Sequence, residues 1–290
     1  IIGKRKAFPS LRKKLNNFGM LKKISPGGSA SNSCHMLSRM GFEVGLSGVL
    51  GTDKEGEFYL KQLANEHVDG VVRKGRTGAA YIINAGRKDR SIIVFPNSNS
   101  ELKMEEMNIG FLSKAKWIHM TSFINYEALE VQKSIKKMFD GSISFSIDPG
   151  EIYARLGAKL YPLLEGMEIL FISEMEIELL YGMAADMAVQ KALDMVKVVV
   201  LKKGKRGACV YKKGYSYSSA AEQVDVVDNT GAGDVLNAVF MGLYIRGIEP
   251  DIAIKAAARA ASRSTTAFGR DAYPDYKGIE ELLKTLKGGD

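Results

Sequence analysis

Short apolar runs, separated by polar and turn-forming stretches, dominate the chain from about residue 110 onward. Residues 117–121, 143–147, 168–172 and 197–201 are such runs, rich in Ile, Val and Phe. Between them, 126–139, 174–182 and 186–195 carry apolar residues at helical spacing. Strand, helix, strand order of this kind predicts a mostly parallel sheet covered by helices on both faces. The pattern differs between 67 and 96. Runs at 68–72, 79–84 and 91–95 are close together, and turn residues 85–90 separate the last two. That spacing predicts a hairpin, and with 68–72 a small antiparallel sheet that stands out as a lid or a dimer contact. The C-terminal third reads as helical at 231–246, 250–266 and 277–287.

Composition narrows the class. The 290 residues are 46% hydrophobic and 26% charged, which fits one large α/β domain. Two distant cysteines, Cys34 and Cys209, point to a reducing compartment, so a cytoplasmic protein is expected. No apolar run is long enough to span a bilayer, and no membrane partner is expected. The net charge of +8 is concentrated: residues 1–42 hold nine Lys or Arg and no Asp or Glu. A local excess of this kind suits a solvated face or a rim attracting phosphorylated substrates, and no nucleic-acid partner is expected. His35, His67 and His119 lack metal-ligand spacing.

The chemistry-bearing segment is Asp228-Asn229-Thr230-Gly231-Ala232-Gly233-Asp234. It follows a strand-like run at 224–227 and opens an apolar helix. Backbone N–H groups at a helix start lack intrahelical partners and carry positive partial charge. Two glycines let an anion approach that backbone closely. Asp234, in the first turn, would face such an anion and could take a proton from a hydroxyl attacking a phosphoryl group. A bare Gly-x-Gly-Asp would equally fit an ordinary helix start. A second glycine pair, Gly27-Gly28, precedes a helix at 33–40, and Asn32 stands four residues beyond Gly28. Its alternative is a helix capped by Ser25 or Ser29.

Together these segments resemble the signatures of the ribokinase-like, or PfkB, family of carbohydrate and nucleoside kinases. Gly48-Val49-Leu50-Gly51-Thr52-Asp53-Lys54-Glu55-Gly56 is also similar to the family's N-terminal pattern. The resemblance covers residues 25–285. It implies a three-layer α/β/α fold with a central, mostly parallel sheet and a small antiparallel β lid, formed by about 1–24 and 67–100 of a single domain. It implies ATP and Mg2+ as cofactors, Asp234 as base, and the amides of Gly231, Ala232 and Gly233 as the anion hole. Gly27, Gly28, Asn32 and Asn99 would hold the substrate. Lys202, Gly204, Gly207, Asn229 and Gly269 would lie at the nucleotide. Glu176 would hold magnesium through water, with Ser173 standing where the family usually has Asn. The family's substrate-gripping Asp after a first strand has no counterpart in residues 4–23, which contain no Asp. The implied activity is transfer of the γ-phosphoryl group of ATP to a hydroxymethyl group of a sugar or sugar derivative. The alternatives are a nucleoside kinase, toward which Gly-Gly-Ser-Ala-x-Asn leans, and a non-catalytic ligand-binding relative. The lid offers a contact for a homodimer.

Overall fold

The computed structural model describes residues 17, 22–63, 65–84 and 90–287. Its centre is a six-stranded sheet in the order β10-β9-β8-β7-β6-β5. β5 (Trp117–Thr121), β6 (Ser144–Asp148), β7 (Met167–Ser173) and β8 (Val196–Lys202) run parallel. β9 (Ala208–Lys212) and β10 (Tyr215–Ser219) continue the sheet antiparallel. Side chains alternate across a strand, and both faces of β7 and β8 are buried. Ile169, Phe171, Val198 and Val200 pack with helices α6 (Ala232–Ile245) and α7 (Pro250–Ser264). Leu170, Ile172, Val199 and Leu201 face the other way, into a core shared with α3 (Tyr126–Met138), α4 (Glu174–Tyr181) and α5 (Ala185–Ala192). This is the expected three-layer sandwich. Among the described residues, no helix is long and apolar enough to cross a membrane.

Two further pairs of strands lie apart from the central sheet. β3 (Ala79–Asn84) and β4 (Arg90–Phe95) form the expected antiparallel hairpin, with Ile82 opposite Ile92. β2 (His67–Arg73) does not join them. It pairs parallel with β1 (Gly45–Leu50), and Ser47 lies opposite Gly70. The physical reason lies in two glycines: a Cβ at Gly45 or Gly70 would come within 2.4 or 2.7 Å of the Phe111 ring. The ring covers the pair only because both positions lack side chains. The first part of the proposed lid, 1–24, lies almost wholly outside the described residues.

The segment 224–227 is also not a strand. Val226 and Val227 are 63% and 42% exposed, and the amides of Val227 and Asp228 both donate to the Thr265 carbonyl at the end of α7. The β-branched run is tied to a helix terminus rather than buried in the sheet. The helix predicted at 33–40 begins earlier, as α1 (Ser29–Arg39).

Candidate active site

Asp228 builds the turn before α6. Its Oδ1 accepts from the Thr230 amide at 2.9 Å and its Oδ2 from the Gly269 amide at 3.2 Å. Gly231 then takes a left-handed conformation, φ 83°, as the N-cap of α6. A side chain there is doubly disfavoured: its Cβ would lie 2.3 Å from the Tyr273 hydroxyl and 3.3 Å from Asn32 Nδ2. Asp234 follows in the first turn, only 8% exposed. Burial pushes its carboxyl up to about 6. The hydrogen bond from Asn32 pulls against that shift, as does the Lys202 charge, while the nearby Asp148 charge adds to it.

The opposite wall is the start of α1. Gly28 is the N-cap with φ 93°, and no side chain caps the helix, so the alternative of a Ser25 or Ser29 cap does not hold. A Cβ on Gly27 or Gly28 would meet nothing within 4 Å, so this backbone is open on its outer side. Asn32 reaches across, its Nδ2 donating to Asp234 Oδ2 at 2.7 Å, and the Ser33 hydroxyl donates to the Asp234 carbonyl at 3.3 Å. Asn32 Oδ1 in turn accepts from Arg270 Nε at 3.1 Å, and Arg270 Nη2 donates to Ser31 Oγ at 2.7 Å. Two glycine turns about 200 residues apart in sequence are therefore joined through one amide side chain.

Beneath Asp234 lies a second buried carboxylate. Asp148 Oδ2 accepts from Lys202 Nζ at 2.5 Å and from Asn237 Nδ2 at 2.6 Å. Its Oδ1 accepts from the Gly150 amide at 3.2 Å, the turn role its Asp-Pro sequence also suggests. Burial alone would raise the Asp148 pKa, but the Lys202 ammonium and the hydrogen bonds outweigh it and hold the carboxyl below its usual range. Burial likewise works against charged Lys202. Asp148 and Glu176 outweigh it and raise the Lys202 pKa. A Cβ on Gly233 would sit 3.9 Å from Lys202 Nζ, so the ammonium lies beside the glycine turn. His119 completes this layer as a neutral ring. Burial pushes it down to about 4, and its Nδ1 lies 2.9 Å from Ser146 Oγ.

The remaining predicted residues take different places. Ser173 and Glu176 form a capping box at the start of α4: Glu176 N donates to Ser173 Oγ, and Ser173 N to Glu176 Oε2 at 2.7 Å. Ser173 thus serves as a helix cap where the family usually has Asn. Gly204 and Gly207 bound the turn after β8, and a Cβ at Gly207 would lie 2.0 Å from the Ser219 carbonyl oxygen. Asn229 stands in the turn before α6, and Gly269 docks on that turn through Asp228. Asn99 is exposed at the base of the hairpin, with its amide donating to the Pro96 carbonyl. Asp53 caps helix α2 (Lys54–Lys61) through the Gly56 amide and also accepts from the Thr77 amide and hydroxyl. The 48–56 signature is therefore an anchor for the strand that starts the hairpin.

Sequence reasoning missed Arg270 and Tyr273 beside the two glycine turns, and Asn237 and His119 around Asp148. Asn237 had a signal, since it lies three residues after Asp234 and so on the same helix face. The others come from distant segments, with no local pattern to single them out.

A buried carboxylate at a glycine-opened helix start, braced against a second glycine turn in an α/β/α sandwich, defines a small-molecule phosphotransferase. The chain belongs to the pfkB family carbohydrate kinases, which it matches over residues 17–274, and is a sugar kinase of that family. An uncharacterized sugar kinase of Archaeoglobus fulgidus is 33% identical over 216 residues, covering 73% of this chain and 86% of the relative. The ATP-dependent ribose-1-phosphate kinase of Halopiger xanaduensis is 25% identical over 264 residues, 89% of this chain and 86% of that protein. Among solved structures, the ribokinase of Arabidopsis thaliana complexed with ribose and ATP superposes with a TM-score of 0.74 at 25% identity. It covers 89% of this chain and 87% of that one.

Proposed function

We propose that this sugar kinase moves the γ-phosphoryl group of ATP to a hydroxymethyl group of a sugar or sugar derivative. The observation that carries the reading is Asp234: a desolvated carboxylate, with its pKa near 6, held by Asn32 at the mouth of the glycine turn. Such a group is a base matched to neutral pH. It takes the hydroxyl proton as the acceptor oxygen bonds to the γ-phosphorus and the bond to the bridging oxygen of ADP breaks. The amides of Gly231, Ala232 and Gly233 meet the transferred group, with Lys202 adding positive charge beside Gly233. Gly204, Gly207, Asn229 and Gly269 line the nucleotide side in this reading. Gly27 and Gly28 give the acceptor open backbone, and Asn99 approaches it from the hairpin.

The fit to ATP comes from the two glycines of the turn, which carry no side chains of their own, and from the ammonium beside Gly233. Glu176, close enough to Lys202 to raise its pKa, is the residue that would hold magnesium through water. When bound, the ion would neutralise phosphate charge. In an ADP-release assay over a panel of sugars, Asp234→Asn should lower turnover by about 10² to 10⁴, the usual range for general-base catalysis. Near-normal turnover would remove Asp234 from the mechanism. No turnover of any sugar or nucleoside by the parent protein would favour a non-catalytic binding role.

A further inference from the structure

An open cleft of about 540 Å³ lies on the outer side of α1, with Lys23, Ser25, His35, Arg39, Gln62 and Arg270 on its walls. Its volume is that of a small-molecule site. Three of its side chains are permanent cations, and Asp271 is the acid among its lining residues. That acid is already paired with Lys23. His35 is turned toward Glu66, with Nδ1 3.0 Å from its Oε1, and burial lowers its pKa. The two guanidiniums are different. Arg39 donates to the Pro274 backbone carbonyl, and Arg270 to the Ser31 hydroxyl and to Asn32 Oδ1. Among the described residues neither forms an ion pair.

Arg270 is half-buried, and a charge drawn out of water calls for an opposite charge. A guanidinium also presents a planar fork of donors that matches carboxylate and phosphate oxygens. The location matters as much as the charge. Arg270 and Asp234 are bridged by the single amide of Asn32, so the cleft floor lies one side chain from the catalytic carboxylate. We infer that this cleft is the subsite for an anionic group of the acceptor, a phosphate or a carboxylate, whose free hydroxymethyl end reaches Asp234. The inference rests on the kinase reading given above.

Two measurements on the full chain test it. The first is calorimetric titration with inorganic phosphate of the parent, Arg270→Gln and Arg39→Gln proteins. The cleft should bind one phosphate per chain. Arg270→Gln should weaken it at least about tenfold, and Arg39→Gln, remote from the glycine turn of α6, should weaken it too. The second is kcat/KM for glucose, gluconate and glucose 1-phosphate, which all keep a free hydroxymethyl group. The anionic acceptors should exceed glucose by at least about tenfold, and Arg270→Gln should erase that preference. Gluconate and glucose 1-phosphate separate a carboxylate subsite from a phosphate subsite. Phosphate binding indifferent to both arginines, or an equal loss for all three acceptors in Arg270→Gln, would overturn the inference. The equal loss would mean that Arg270 only holds Asn32. Arginine-dependent phosphate binding without turnover of any acceptor would instead sink the kinase reading and leave the anion site standing.

Discussion

At the scale of single residues, the site rests on two carboxylates that burial treats in opposite ways. Asp148 has a cation in contact, which holds its carboxyl below its usual range, while Asp234 has neutral hydrogen-bond partners in Asn32 and Ser29, and burial outweighs them and raises its pKa. Removing one partner of a buried ion pair leaves the other charge uncompensated, at a cost of about 3–5 kcal/mol. Lys202→Met should therefore lower unfolding stability by about 3 kcal/mol in urea denaturation. The double variant with Asp148→Asn should be more stable than Lys202→Met alone. Strict additivity of the two changes would show that the pair is not energetically coupled. The glycine-opened helix start at 231–234, with Asp234 in its first turn, was legible because its parts are contiguous in sequence. The brace beneath them was not, since Asp148, Lys202 and Asn237 come from two strands and a helix and meet only in the folded chain.

Among the elements, β7 and β8 were legible as apolar runs because a strand buried on both faces has no polar side to show. β1 was not, because residues 48–50 read as part of a motif, and the glycine that admits Phe111 there, Gly45, lies just before it. The reverse error occurred at 224–227, where β-branched residues lie exposed against the end of α7. The hairpin β3–β4 is fixed at its base by Asp53, which bonds Thr77 while capping α2. Gly51 allows this contact, since a Cβ there would fall 2.1 Å from the Thr77 amide. Loss of an N-cap costs about 0.5–2 kcal/mol, and here it would also free the hairpin. Asp53→Ala should raise the acceptor KM several-fold with a smaller change in kcat, and should increase ADP release in the absence of acceptor. An unchanged KM and background rate would mean that the hairpin does not act as a lid.

At the scale of the whole molecule, the hairpin leaves Ile82, Ile92 and Val94 each 44% exposed. The strand register, Ile82 opposite Ile92 and Ala80 opposite Val94, puts them on one face. We propose that this face meets a second copy of the chain. Light scattering should then show a dimer that Ile92→Lys dissociates, and a monomeric parent protein at high concentration would exclude it. α1 and α6 meet around Asp234, and burial there pushes its carboxyl up to about 6. A base works only when deprotonated, so the rate must rise with pH through its pKa and level off above it. The pH dependence of kcat/KM with a turned-over sugar therefore tests the central claim most directly. An acid limb with its midpoint near pH 6 is expected, and a profile that stays flat down to pH 4.5 would contradict a catalytic role for Asp234.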